Sequence, residues 1–157
     1  MAPLELPPGV AQYLRGQHVM TLATHGAEGP WAAAVFYASD GSDLLFLSSP
    51  TSRHGRDLAQ DARCAATIQA QDSDWAHVRG VQLQGRAAPL EGEALADAQR
   101  IYARRFPFVA SPGPVPAAIA AALARVRWYR LTPQRLWFID NSQGFGHRDE
   151  IVPGGTD

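Results

Sequence analysis

Three apolar segments follow one another in the first fifty residues, with only a few turn-forming residues between them. They are His18–Thr24, Trp31–Ala38 and Leu44–Ser49, and they are separated by the Gly- and Pro-containing stretch 25–30 and by Asp40-Gly41. Connections this short and of this composition are typical of antiparallel hairpins. The sequence therefore predicts that the fold begins as an antiparallel meander.

The second and third segments carry apolar side chains on both faces. Ala32–Phe36 and Leu44–Leu47 contain no polar residue, whereas a strand with one solvated face alternates between apolar and polar positions. This pattern favours strands that are covered on both sides, as in a barrel or a buried sheet.

The remainder of the chain adds strands and short helices. The alternation after Cys64 predicts a half-buried strand, and Gly80 and Gly85 are expected to mark bulges or bends in the long strand that follows. The predicted strands are 64–70, Trp75–Leu90, Arg127–Leu131 and Leu136–Ile139, and the predicted helices are Val10–Gly16, 52–60, Glu91–Phe106 and Ala117–Val126. Many strands and three to four short helices favour a mainly β (α+β) antiparallel barrel. With 157 residues, a single domain is expected, with its core at about 10–148 and its ends outside the core.

Composition excludes several classes of function. Cys64 is the only cysteine, which excludes an internal disulfide framework and a multi-cysteine metal site and is typical of the reducing cytoplasm. The chain has no lysine, which excludes chemistry that depends on a lysine amine. The formal net charge is −1, so the sequence gives no electrostatic reason to expect nucleic acid or a membrane as a partner. No apolar run is long enough to cross a bilayer, and the five histidines lack metal-ligand spacing, so no metal site is predicted.

The stretch from Leu47 to Arg56 has the greatest concentration of chemically useful groups. It brings serine and threonine hydroxyls, two arginines and His54 to the point where a strand runs into a helix N-terminus. Free backbone N–H groups, the helix dipole and an arginine fork together suit a phosphate. The same residues would also form an ordinary capped helix with solvated arginines.

Six short motifs, in order, resemble one protein family. They are Gln17-His18-Val19, Ala34-Val35-Phe36-Tyr37, Arg53-His54, Gly80–Gly85, Arg105-Phe106-Pro107 and Asp140–Gly146. With them, the chain resembles the pyridoxamine 5'-phosphate oxidase-like, FMN-binding split barrels, and within that superfamily the YhbP-like bacterial branch. The resemblance covers residues from about 10 to 148.

The resemblance implies a six- to seven-stranded antiparallel split β-barrel that forms a homodimer, with FMN at the subunit interface. Ser48 and Ser49 would lie beside ribityl and phosphate oxygens, and Ser52, Arg53 and His54 would hold the phosphate. The strand residues Ala34, Val35 and Phe36 would lie along the isoalloxazine. Gln82 and Gln84 point to one side of their strand and could donate to flavin carbonyl oxygens from the second subunit, although exposed strand glutamines are the commoner interpretation of this pattern. An FMN-dependent oxidoreductase of unknown substrate is the function that follows, and no catalytic side chain is predicted.

Two departures from the family pattern keep other functions open. True oxidases place an arginine and a lysine on the second strand, where this chain has Ala32 and Tyr37, and His54 replaces the phosphate lysine. A non-enzymatic stress or binding protein with weak or no flavin binding is therefore the alternative. Heme binding, known among split-barrel relatives, is a third class of function.

Overall fold

The computed structural model describes residues 3–109, 113 and 116–152. Within these residues, eight strands form a single curled antiparallel sheet, and the chain also forms four α-helices. The strands are β1 (Val19–Gly26), β2 (Gly29–Phe36), β3 (Ala38–Asp40), β4 (Asp43–Ser48), β5 (Arg63–Gln69), β6 (Arg79–Pro89), β7 (Arg127–Asp140) and β8 (Arg148–Ile151). The helices are α1 (Pro8–Gly16), α2 (Arg53–Gln60), α3 (Gly92–Arg105) and α4 (Ala117–Arg125).

The strand order is β2-β1-β5-β6-β7-β4-β3, and β8 pairs with β7 outside this path. Every pairing is antiparallel, and β1 pairs with β2 as predicted. The predicted three-stranded meander was wrong, because β2 ends at Phe36 and a separate short strand, β3, forms the hairpin with β4, whose other neighbour is β7. The predicted antiparallel split barrel with short helices is confirmed, with one strand more than the predicted range. None of the described helices combines the length and the apolar character needed to cross a membrane.

The core lies on the inner face of the curled sheet. Met20, Leu22, Leu44 and Phe46 are fully buried there, and the Phe46 ring stacks on Tyr129 with ring centroids 5.0 Å apart. Alternate residues of a strand point to opposite faces, so β1, β4 and β5 contribute every second side chain to this cluster. This core extends from Leu4 in the N-terminal segment to Ile151 in β8. Helix α1 packs against it through Leu14.

Two strand predictions were wrong in their bounds. Residues Trp75–His77 form a single 3-10 turn, so the long strand begins only at Arg79. The two strands that were expected on either side of Thr132-Pro133 form one continuous strand, β7. Pro133 pairs with Gly85 beside the register shift between Gln84 and Gly85, and a proline is tolerated at such a bulge because its missing N–H interrupts the ladder least there.

The expectation of strands covered on both sides holds for β4 but not for β2. Leu44, Leu45 and Phe46 of β4 are fully buried. β2 is an edge strand, and Phe36 on its outer face is 55% exposed. Trp31 points to the opposite face, near the start of the strand, and is 42% exposed. The apolar outer face of β2 is therefore open to solvent in one copy of the chain.

Candidate functional site

The corner between β4 and α2 has a backbone shape that depends on a serine and a glycine. Ser52 caps α2: its Oγ accepts a hydrogen bond from the Gly55 backbone N–H at 3.1 Å and donates to the Ser49 carbonyl oxygen at 2.7 Å. A Cβ atom on Gly55 would lie 2.6 Å from the Ser49 carbonyl oxygen, too close for any side chain. The turn therefore packs tightly against the first turn of α2, and backbone N–H groups at the helix start remain available to an anion.

Hydroxyl groups and His54 form a hydrogen-bonded cluster at this corner. His54 Nε2 lies 2.8 Å from the Oγ of buried Ser48 and 3.4 Å from Ser52 Oγ, while Ser49 Oγ lies 2.9 Å from Thr51 Oγ1. Burial lowers the pKa of His54 below its ordinary value, although nearby Asp57 acts in the opposite direction. His54 is consequently mainly neutral at pH 7 in the absence of a bound anion.

Arg53 is held in place by β2 and by the turn before it. Its guanidinium lies 4.4 Å from the centre of the Trp31 ring, and its Nη2 donates to the Glu28 carbonyl oxygen at 3.1 Å. Its Nε is buried and has no hydrogen-bond acceptor among the described residues, with the Glu28 carboxylate 3.9 Å away. A buried charged donor without an acceptor is costly, so this geometry suits an incoming anion.

The three predicted contacts on β2 do not share a face. Ala34 and Phe36 are exposed on the outer face of the sheet, whereas the Val35 side chain is buried in the core. Only Ala34 and Phe36 can therefore present side chains to a ligand that lies on the outer face, and Val35 can offer only its backbone.

Gln82 lies on the same outer face but far from Ala34. The cross-strand partners run Ala34–Thr21–Thr67–Gln82, so three strand spacings, roughly 14 Å, separate Ala34 from Gln82 within one chain. Gln82 Oε1 accepts a hydrogen bond from Arg148 at 3.3 Å. One ring could touch both Ala34 and Gln82 only if they belonged to different copies of the chain.

A shallow groove runs across this outer face and was not predicted from the sequence. It consists of two adjoining cavities of about 280 and about 440 Å³, which share Ala23 and Ala65 on β1 and β5. Small side chains at paired positions leave this space, and pockets of 300–1,000 Å³ suit small-molecule ligands. Ala23 and Ala65 are cross-strand partners, and no local sequence pattern brings them together, so the groove becomes visible only once the register is known.

Sequence reasoning also missed the contacts that hold Arg53. Glu28 and Trp31 lie more than twenty residues before Arg53, and no local pattern connects them. Cys64, by contrast, is a buried thiol as expected, and burial raises its pKa to about 12. Among the described residues, no three His, Cys, Asp or Glu side chains come together in a way that could hold a metal ion.

The family and the relatives found by comparison with known proteins agree with one another. The family described as "Pyridoxamine 5'-phosphate oxidase" matches residues 6–140. A UPF0306 protein of Enterobacter sp. (strain 638) is 35% identical over 147 residues, which cover 92% of this chain and 95% of that protein. The UPF0306 protein YhbP of Escherichia coli O157:H7 is 31% identical over 147 residues and 92% of each chain.

A solved structure, described as a heme binding protein from Mycobacterium smegmatis, superimposes with a TM-score of 0.71 at 29% identity. The match covers 94% of this chain but only 59% of that one, so the present chain spans little more than half of that protein. These relatives confirm the resemblance to the YhbP-like branch that the six sequence motifs indicated.

Proposed function

Because the chain belongs to the pyridoxamine 5'-phosphate oxidase family, and within it to the UPF0306 (YhbP) proteins, we propose that it is an FMN-binding, oxidoreductase-like split barrel. The flavin phosphate binds at the β4–α2 corner, with the hydroxyls of Ser48, Ser49 and Ser52 and with Arg53 and His54 as its partners. The single observation that carries this proposal is the Arg53 Nε, which is buried at that corner without an acceptor.

The remaining corner groups fit a phosphate dianion. The α2 N-terminus contributes partial positive charge and backbone donors, and Arg53 contributes a full charge that Trp31 keeps in position. His54 is neutral in the free protein because burial lowers its pKa. A bound dianion favours the imidazolium, so binding takes up a proton at this position.

The flavin ring lies along the outer face of β2, beside Ala34, Phe36 and the Val35 backbone. A second copy of the chain covers this face and supplies Gln82, which makes the protein a homodimer with the flavin at the interface. The exposure of Val19 and Phe36, which are cross-strand partners on the outer face of β1 and β2, supports this arrangement, since monomeric proteins rarely expose large contiguous apolar patches. The buried, inert Cys64 is compatible with a cytoplasmic location.

When bound, the flavin supplies hydride or electron transfer, and the protein supplies binding, orientation and electrostatics. Ala34 and Phe36 offer an apolar surface to the ring, and the corner fixes its phosphate end. No side chain is assigned a catalytic role.

Two alternatives have support of their own. The Tyr37 hydroxyl is buried and donates to the Leu14 carbonyl oxygen at 2.6 Å, so Tyr37 cannot replace the oxidase lysine. With Ala32 also uncharged, this favours a binding protein without enzymatic activity. The resemblance to a heme binding protein from Mycobacterium smegmatis favours heme as the ligand instead.

The visible spectrum of the freshly purified full chain separates these functions. Flavin absorption bands, with FMN identified by mass after denaturation, are the expected result. A Soret band would show that the bound ligand is heme and not flavin. A colourless protein that also fails to bind added FMN would contradict the proposal and favour the binding protein without flavin.

A further inference from the structure

A second pocket lies at the other end of β2 from the phosphate corner. It has a volume of about 320 Å³ and opens between α1, β3 and the C-terminal end of α3. Trp31, which supports Arg53, and Tyr37, which lines this pocket, are six residues apart along an extended segment, roughly 20 Å. The two sites share no lining residue, so this pocket is a separate feature of the molecule.

Three arginines and an apolar floor line this pocket. Arg15, Arg104 and Arg105 form its charged wall, and Leu14, Tyr37 and Ile101 form its apolar part. No acidic residue is among the described residues that line it. Among the described residues, none of the three guanidiniums makes an ion pair with a carboxylate.

The charge of these arginines is only partly balanced by the backbone. Arg15 lies in the last turn of α1, and Arg104 and Arg105 lie in the last turn of α3. Each helix C-terminus carries about −0.5 charge, so two ends offset about one of the three positive charges. Arg105 also donates to the Gln17 carbonyl oxygen at 3.2 Å. About two positive charges remain beside an apolar surface.

The nearby carboxylates are engaged elsewhere. Asp40 and Asp43 both accept from Arg130, at 2.9 and 2.8 Å. On α3, Asp97 pairs with Arg100, one turn before the pocket arginines. These carboxylates therefore already have arginine partners, and none of them pairs with a pocket arginine.

We propose that this pocket binds a small organic anion, a phosphate monoester or a carboxylate with an apolar body. The guanidiniums bind the anionic group through charge-assisted hydrogen bonds, and Leu14, Tyr37 and Ile101 pack against the body. The volume fits a ligand with a single ring. This binding does not depend on flavin.

The test is calorimetric titration of the full chain with phenyl phosphate, benzoate, inorganic phosphate and phenol at low salt. Phenyl phosphate or benzoate is expected to bind at least tenfold more tightly than inorganic phosphate and phenol. The tighter of the two identifies the anionic group. If neither phenyl phosphate nor benzoate binds more tightly than inorganic phosphate and phenol do, the proposal is overturned.

Variants place the binding in this pocket. R15Q and R104Q are each expected to weaken binding of the preferred anion at least tenfold. R100Q removes a paired charge from the helix that carries Arg104, and it is expected to leave the affinity unchanged. Equal weakening by R100Q would show nonspecific attraction and overturn the proposal. Circular dichroism confirms that the variants remain folded.

Two further measurements separate this site from the flavin site. The double variant R53A/H54A is expected to retain binding of the anion, and R104Q is expected to retain FMN binding. If R53A/H54A no longer binds the anion, the anion binds at the β4–α2 corner, and the proposal is overturned. If FMN fails to bind to the native chain, the anion titration still tests this pocket alone.

Discussion

At the scale of single residues, two basic side chains of the β4–α2 corner differ in kind. Arg53 carries a permanent charge and a buried Nε without an acceptor, whereas His54 is kept mainly neutral by burial. Arginine anchors a phosphate at any physiological pH, but histidine does so only after it takes up a proton. FMN affinity is therefore expected to rise as the pH falls from 8 toward 6.

The pKa of His54 also makes the stability of the free protein depend on pH. Because burial lowers this pKa in the folded state, the unfolded chain binds the proton more readily. The stabilisation that comes from neutral His54 is present above about pH 6.5 and is lost as the pH falls below it. Urea denaturation at pH 7.5 and 5.5 measures how much free energy of unfolding is lost on acidification. This loss should be smaller for H54Q than for the native chain. An equal loss in both would exclude His54 as the source.

Cys64 offers a second prediction at this scale. Burial raises the pKa of its thiol to about 12, so almost no thiolate exists at pH 8. Because the thiolate is the reactive form, the folded protein is expected to react with a disulfide reagent far more slowly than the chain unfolded in guanidinium. Equal labelling rates in the two states would contradict the burial of this thiol.

At the scale of elements, the position of α2 depends on its contact with the end of β1. The Thr24 hydroxyl donates to the buried Asp57 carboxylate at 2.8 Å, which ties the helix to the strand. Gly26 lies directly beneath this carboxylate, where an added Cβ would collide with Asp57. Since α2 also carries Arg53 and His54, this contact helps to set the geometry of the phosphate corner.

The substitution Gly26→Ala tests this contact. The added methyl group forces Asp57 and α2 away from β1, and overpacking of this kind costs typically about 1–3 kcal/mol of the free energy of unfolding. Denaturant unfolding measures the change. Gly16→Ala is the control, because nothing lies within 4 Å of a Cβ at that position. A loss no larger than in the control would show that the helix position does not rest on this contact.

The elements that could be predicted were those with a strong local signal. The stripe of apolar residues predicted α3 to within a residue at each end, and the Ser52 cap placed α2 correctly. The expected break at Thr132-Pro133 was wrong because the bulge at Gly85, on another strand, accommodates the proline. β8 was missed because its sequence, Arg148–Ile151, is mostly polar and depends on pairing with β7.

At the scale of the whole molecule, the outer face of β1 and β2 carries apolar side chains that a single chain leaves exposed to solvent. Val19 and Phe36 are exposed there as cross-strand partners, and Ala34 lies on the same face, two residues before Phe36. Covering this face with a second copy would bury these side chains and bring a second Gln82 toward Ala34. The sequence suggests residues for the candidate site by motif alone, whereas the division of the β2 residues between two faces follows from strand geometry.

A charge at the centre of this face should prevent assembly. The substitution Ala34→Glu places a carboxylate among apolar side chains, where burial without a partner is costly. We expect the native chain to be a dimer and the variant to be a monomer at micromolar concentration, as measured by light scattering coupled to size exclusion. Ala96→Glu, at an exposed position on α3, should remain dimeric. A dimeric Ala34→Glu variant would place the interface elsewhere.

The most direct test of the central claim compares FMN with riboflavin, which lacks the phosphate, by fluorescence titration of the native chain and of the variant R53A/H54A. Removal of the charge-assisted hydrogen bonds is expected to cost about 2–4 kcal/mol, which is roughly 30- to 1,000-fold in the dissociation constant for FMN. Riboflavin affinity should be the same in both proteins, and R100A should bind FMN like the native chain. If FMN binds to the native chain no more tightly than riboflavin does, or if the double variant retains full FMN affinity, the phosphate does not bind at the β4–α2 corner.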